Sequence, residues 1–197
     1  MSVYYEKTLP EGYAEALVID GSDRKLLPRL SAAGAAASAA LITAFVLLYA
    51  APRFRQIAAG FSIPGCVLFL PAYFLYVALH ELTHGAVYRI FTGEKLTFGF
   101  RPPAAYCGVP EIYVYRTVSI LSVLAPFTVF TLLYAALFLL IPGPFWRVFL
   151  FLLFSFHVSG CAGDLYNLGL LLFRFRDPAT LRRDTGPVQT YYTKSAR

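Results

Sequence analysis

Four long apolar runs dominate the hydropathy pattern of the chain: residues 30–51, 61–90, 117–141 and 145–173. A hydrocarbon core takes about 20 residues of α-helix to cross, so each run is long enough for a transmembrane helix. The second and fourth exceed that length, an excess that tilt, a kink at Pro64 or Pro71, or an extension past the bilayer would absorb. Between the second and third runs the period changes. Leu96, Phe98 and Phe100 alternate with Thr97 and Gly99, which predicts a strand; Pro102 and Pro103 end it, and residues 104–108 with 112–115 supply a returning strand. Residues 4–20 show no helical period and read as an irregular or short extended segment. The expected fold is therefore all-α: an integral membrane bundle of four transmembrane helices with a short β-hairpin-like loop between helices 2 and 3. Its expected divisions are an N-terminal segment at 1–29, a membrane core at 30–173 and a basic tail at 174–197.

Composition agrees with a membrane protein. The chain of 197 residues is 58% hydrophobic with a mean hydropathy of +0.60, above the ~45–50% apolar content of soluble domains. The first 28 residues are polar and mixed in charge, so no cleavable signal peptide is expected and the first span acts as the targeting element. The net charge of +6 follows a topology signal, which argues against a nucleic-acid partner. Lys7, Arg24, Lys25 and Arg29 precede the first run, Arg89, Lys95, Arg101 and Arg116 flank or occupy the middle loop, and six basic residues follow the last run. The other two connections carry only Arg53, Arg55 and Arg147. Both termini and the middle loop are expected on the cytoplasmic side of a prokaryotic cell membrane, with the tail as a solvated end that favours anionic headgroups. Cys66, Cys107 and Cys161 are odd in number and widely spaced, which supports neither a disulfide framework nor a zinc ribbon.

The second run carries the chemistry. Within Leu79-His80-Glu81-Leu82-Thr83-His84-Gly85, Glu81 is the only acidic residue of the run, and His80 and His84 are two of three histidines in the chain. Residues four apart share a helix face, so His80 and His84 present two imidazoles to one metal ion, and Glu81 reaches the same space as a general base. Ionisable groups inside a membrane-length helix cost on the order of ~2.5–3.5 kcal/mol each, so three within five residues point to function rather than packing.

The fourth run is the other interrupted one. His157, Ser159, Gly160, Gly163, Asp164 and Asn167 break it. Asp164 is the only acidic residue of any run besides Glu81, which makes it the natural third ligand: two histidines and a carboxylate leave a fourth tetrahedral position open. His157, two helical turns earlier on nearly the same face, is the alternative ligand or a neighbouring donor. Asn167 is a candidate to orient Asp164 or to bond between helices, and Tyr106 in the middle loop is a candidate for substrate contact. Ser31, Gly34, Ala35, Ser38 and Ala39 give the first run a small-residue face for close helix packing. The third run, with Pro126 but no ionisable side chain, reads as scaffold.

His80-Glu-Leu-Thr-His-Gly85, Ala105-Tyr-Cys107, Leu124-Ala-Pro126 and Ser159-Gly-Cys-Ala-Gly-Asp164, with Leu9-Pro-Glu-Gly-Tyr13 and Val18-Ile-Asp20, together resemble a zincin peptidase family of membrane proteins of unknown function. That family is similar in pattern to the site-2 protease clan of intramembrane metalloproteases. The resemblance implies a Zn²⁺ site of His80, His84 and Asp164, Glu81 as base, and a membrane-protein or peptide substrate. One feature departs from the clan: its aspartate lies in Leu-Asp-Gly after Asn-x-x-Pro, whereas Asp164 lies in Gly163-Asp164-Leu165. Two other functions are compatible with the pattern. One is a catalytically silent membrane adaptor or chaperone of the same fold. The other is a small metal or proton transporter, which the lack of an internal repeat disfavours.

Overall fold

The computed structural model describes residues 4–21, 23–101 and 104–195. In chain order its elements are β1 (Tyr5–Glu6), β2 (Tyr13–Asp20), α1 (Leu26–Phe45), α2 (Phe54–Ala59), α3 (Ile63–Val67), α4 (Phe69–Thr92), β3 (Thr97–Arg101), β4 (Ala104–Tyr115), α5 (Arg116–Leu140), α6 (Pro144–Gly160), α7 (Ala162–Gly169), β5 (Leu181–Asp184) and β6 (Val188–Lys194). The expected all-α four-helix bundle is corrected by this element list. The protein is mixed α/β, with a six-stranded antiparallel sheet in order β1-β4-β5-β6-β2 and β3 paired to β4. The predicted hairpin is present as β3 and β4, but it is one part of a larger sheet that also recruits both terminal segments.

Among the described residues, three helical stretches are long and apolar enough to cross a membrane: Leu26–Ala59, Ile63–Thr92 and Arg116–Leu140. The fourth expected run is broken. It divides into Pro144–Gly160 and Ala162–Arg174, bent by 43°, so it makes a fourth span only if the bent pair is counted as one. The break falls at Cys161, whose backbone N–H bonds back to the carbonyl of His157 as the helix closes.

The chain divides into two compact units: Met1–Pro28 with Ala78–Pro126 and Asp164–Arg197, and Arg29–Val77 with Phe127–Gly163. In the first unit β4 is the organising strand, pairing with β1, β3 and β5. Tyr88 of α4 packs with Val109, Ile112, Val114 and Val118, and a second cluster joins Ile19, Val123, Leu171, Phe175 and Tyr191. The Phe175 and Tyr191 rings stack at 4.6 Å. The tail, expected to be solvated, instead supplies β5 and β6, and Arg182 is among its most buried residues. Gly186 closes the β5–β6 turn at φ 89°, a region that side-chain-bearing residues disfavour, and the Tyr106 ring occupies the space a Cβ would need.

The second unit packs Tyr76, Phe130, Tyr134, Leu150 and Leu153 into an aromatic-rich core. Of the small-residue face on α1, Gly34 and Ser38 are buried, whereas Ser31, Ala35 and Ala39 are exposed. A Cβ on Gly34 would stand 2.6 Å from the backbone oxygen of Ser159 in α6. Alanine in place of a mid-helix glycine ordinarily gains about 0.5–1 kcal/mol. Here the neighbour is backbone and cannot rotate away, so Gly34→Ala is expected to destabilise by about 1–3 kcal/mol. Thermal unfolding of the detergent-solubilised protein checks the sign.

Candidate metal centre

α4 positions the His-Glu-x-x-His residues. The helix is apolar through Phe69–Thr92 and keeps period throughout, so His80 and His84 fall on one face, both buried at 7% and 8% exposure. Their rings lie 5.0 Å apart. Glu81, half-buried, faces the backbone N–H of Cys107 on β4. One donor atom each from His80, Glu81 and His84 lies within 4.8 Å of the others.

Asp164, in the first turn of α7, meets this face. Its Oδ2 is 3.1 Å from His80 Nε2 and 3.4 Å from His84 Nε2. Zinc bonds to nitrogen and oxygen of ~2.0–2.1 Å place tetrahedral ligands about 3.3 Å apart, so these separations fit the edges of a zinc site. The donor types fit as well: two imidazoles and one carboxylate. The break at Cys161 matters here, since it starts α7 afresh and places Asp164 near its N-terminus.

His84 is held by a residue of α5. Its Nδ1 donates to the Ser122 carbonyl at 2.9 Å, which leaves Nε2 directed at Asp164. That carbonyl is available because of Pro126. A proline four residues along a helix has no N–H to give it, so Pro126 frees the acceptor that fixes the His84 tautomer. The third run is thus more than scaffold. A proline within an apolar helix was the sequence signal for it, although nothing local said which group the freed carbonyl would receive. Pro126→Ala restores a competing N–H and is expected to weaken zinc binding about 10–100-fold. Competition with a chelator of known affinity measures it without reference to activity.

The remaining candidates have other partners. Asn167 donates to Gln189 Oε1 at 3.2 Å and accepts from Tyr191 Oη at 2.7 Å, fastening α7 to β6. Tyr106 packs its ring between Gly99 of β3 and Gly186. His157, fully buried in the second unit, pairs Nδ1 with Tyr76 Oη at 3.0 Å and Nε2 with Thr131 Oγ1 at 3.2 Å, so hydroxyl groups engage both ring nitrogens. Cys107 is buried, and burial, reinforced by Asp184 and Glu81, pushes its thiol up to about 12. It stays protonated at neutral pH where no metal is bound.

Gly85 explains how the hairpin reaches this helix. A Cβ there would meet Leu96 Cδ1 and Phe98 Cζ at 3.0 Å and Cys107 Sγ at 3.2 Å, so its absence lets β3 and β4 lie directly against the turn after His84. β3 pairs with β4, and Phe98 and Phe100 on it are exposed at 47% and 68%.

Two helix-borne imidazoles converging on a carboxylate from a second helix, with a glutamate beside them, are the donor set of zincin-type metallohydrolases. The chain belongs to the DUF3267 family, described as "Putative zincin peptidase", whose family model matches residues 73–178 and so spans His80, Glu81, His84 and Asp164. No curated protein and no solved structure matches it. The family resemblance drawn from the motif is borne out by this match.

Proposed function

We propose that the protein is a zinc-dependent peptidase that cleaves a peptide bond in or next to the membrane. The observation that carries this reading is the convergence of His80 Nε2 and His84 Nε2 on Asp164 Oδ2. Zinc, when bound by His80, His84 and Asp164, supplies Lewis-acid polarisation of a carbonyl and lowers the pKa of water. Glu81 accepts the proton of the attacking water and returns it to the leaving amine. The Ser122 carbonyl keeps His84 Nδ1 protonated and its Nε2 free for the metal.

The free side of β3 receives the substrate. The Phe98 side chain of β3 lies against Gly85, and an extended peptide adding to this edge would pass next to the His84 turn. A helical substrate must first unwind, because its own backbone bonds otherwise occupy those groups.

The proposed setting is a membrane crossed by α1, by α3 with α4, by α5 and by the bent pair α6 with α7. The sheet supports a common side for both termini and the middle hairpin, because β2, β4, β5 and β6 are hydrogen-bonded in one sheet. An even number of spans separates each from the next, and the excess of basic residues supports a cytoplasmic position for that side. His84 lies eight residues before the Thr92 end of α4, about 12 Å along the helix, within reach of water from that side.

Zinc content of the purified protein tests the site. About one zinc per chain is expected for the wild type, with loss to below one tenth in His80→Ala, His84→Ala and Asp164→Ala and full retention in His157→Ala. Zinc that survives Asp164→Ala but not His157→Ala would reverse the ligand assignment, and a chain that takes up no supplied zinc would end the peptidase reading.

A further inference from the structure

The unit built from Arg29–Val77 and Phe127–Gly163 contains no aspartate or glutamate. Its charges are Arg29, Arg53, Arg55 and Arg147, and the last three fall in the two connections between apolar runs. An apolar cavity of about 340 Å³ opens between α1, α5 and α6 of this unit. Phe45, Phe138, Leu139, Phe151 and Phe154 form its walls, with Thr131 among the lining residues furthest along α5 from Leu139. The Thr131 hydroxyl is already engaged by His157. Ala135 and Leu139 are exposed along the opening.

The two ends of the cavity differ in charge. The Arg147 guanidinium stands 5.6 Å over the Phe138 ring, and the Arg53 guanidinium 4.5 Å over the Tyr49 ring. Tyr49 and Phe138 are themselves 6.1 Å apart, and Tyr49 stacks on Phe45 at 4.9 Å, so both cations belong to the same end of the cavity wall. Arg147 Nε is buried and has no hydrogen-bond partner among the described residues. No carboxylate of this unit can neutralise either arginine.

We infer that this cavity is a binding site for one anionic phospholipid. Its phosphate is held by Arg147 and Arg53, and one acyl chain lies along Phe138, Ala135 and Thr131. A guanidinium fork matches phosphate oxygens, and the unpartnered Nε gives Arg147 a donor for them. From Leu139 to Thr131 the α5 backbone rises about 12 Å, the scale of an acyl segment. A substrate helix is about 10–12 Å across and would need a wider trough than a cavity of about 340 Å³ provides. The inference rests on the membrane setting proposed above but not on peptidase activity.

The test uses the full chain, purified in detergent and stripped of lipid, then offered phosphatidylglycerol or phosphatidylcholine and read by native mass spectrometry. One phosphatidylglycerol retained per chain is expected, at least tenfold more tightly than phosphatidylcholine. Arg53→Gln/Arg147→Gln should remove that preference, and Ala135→Phe should block the acyl chain and weaken phosphatidylglycerol at least tenfold. Equal retention of the two lipids, or unchanged retention in either variant with its circular dichroism and zinc content at wild-type level, would overturn the site. Inorganic phosphate protecting against heat as well as phosphatidylglycerol does would also overturn it, since the groove would then contribute nothing. A chain found in the soluble fraction of cells would instead remove the membrane setting and the lipid site together.

Discussion

Replacing Glu81 with glutamine is expected to slow peptide hydrolysis by about 10²–10⁴-fold while the chain keeps its zinc. The amide retains the shape of the carboxylate and the neighbouring Cys107 N–H, but it cannot take a proton from water. His80, His84 and Asp164 are untouched, and their mutual spacing of 3.1 and 3.4 Å involves no Glu81 atom. The measurement pairs zinc content with cleavage of a membrane-peptide library by wild type and variant. Activity lost with zinc retained assigns Glu81 to proton transfer. A variant that complements a deletion as well as the wild type does would favour the silent adaptor, since that function needs the fold and not the base.

Breaking the buried ion pair of the sheet is expected to have the largest effect on stability. Arg182 and Asp184 are 1% and 5% exposed, with Nη2 and Oδ2 3.0 Å apart. Tyr88 of α4 donates to Asp184 Oδ2 and accepts from Arg182, and the Gly186 N–H donates to Asp184 Oδ1 at 2.9 Å. Burial alone would favour a neutral guanidine, but Tyr88 and Asp184 hold Arg182 firmly charged. Asp184→Ala leaves that charge buried and unpaired and should cost about 3–5 kcal/mol. Arg182→Met with Asp184→Leu should cost less than Asp184→Ala, because no ion is then stranded. Chemical unfolding of the three variants in detergent decides between this and a pair of negligible strength, for which all three would match the wild type.

The same ion pair shows where sequence reading stopped. Six basic residues after the last apolar run favour a solvated tail, and nothing near Arg182 announces the carboxylate two residues on as a buried partner. The partner that completes the network, Tyr88, lies on the helix of the zincin motif, far away in the chain. β2 and β6 were equally hidden: Tyr13 pairs with Lys194, from opposite ends of the chain, and neither strand has a long alternating pattern of its own. Strands of this kind are stabilised by neighbours rather than by local preference, so beyond the hairpin their segments carry little strand signal against the long helical runs.

The sequence alone determined the apolar runs, the hairpin signal after Thr92 and the candidate donors. These depend on periodicity and on the cost of placing ionisable groups in apolar helices, both of which are local properties. Only the tertiary structure decided that Asp164 stands against His80 and His84, that the Ser122 carbonyl freed by Pro126 takes the His84 proton, and that three distant segments share one sheet. Those outcomes depend on which helix faces and strand edges meet across long stretches of chain, where packing and hydrogen-bond satisfaction act between residues that no local pattern links.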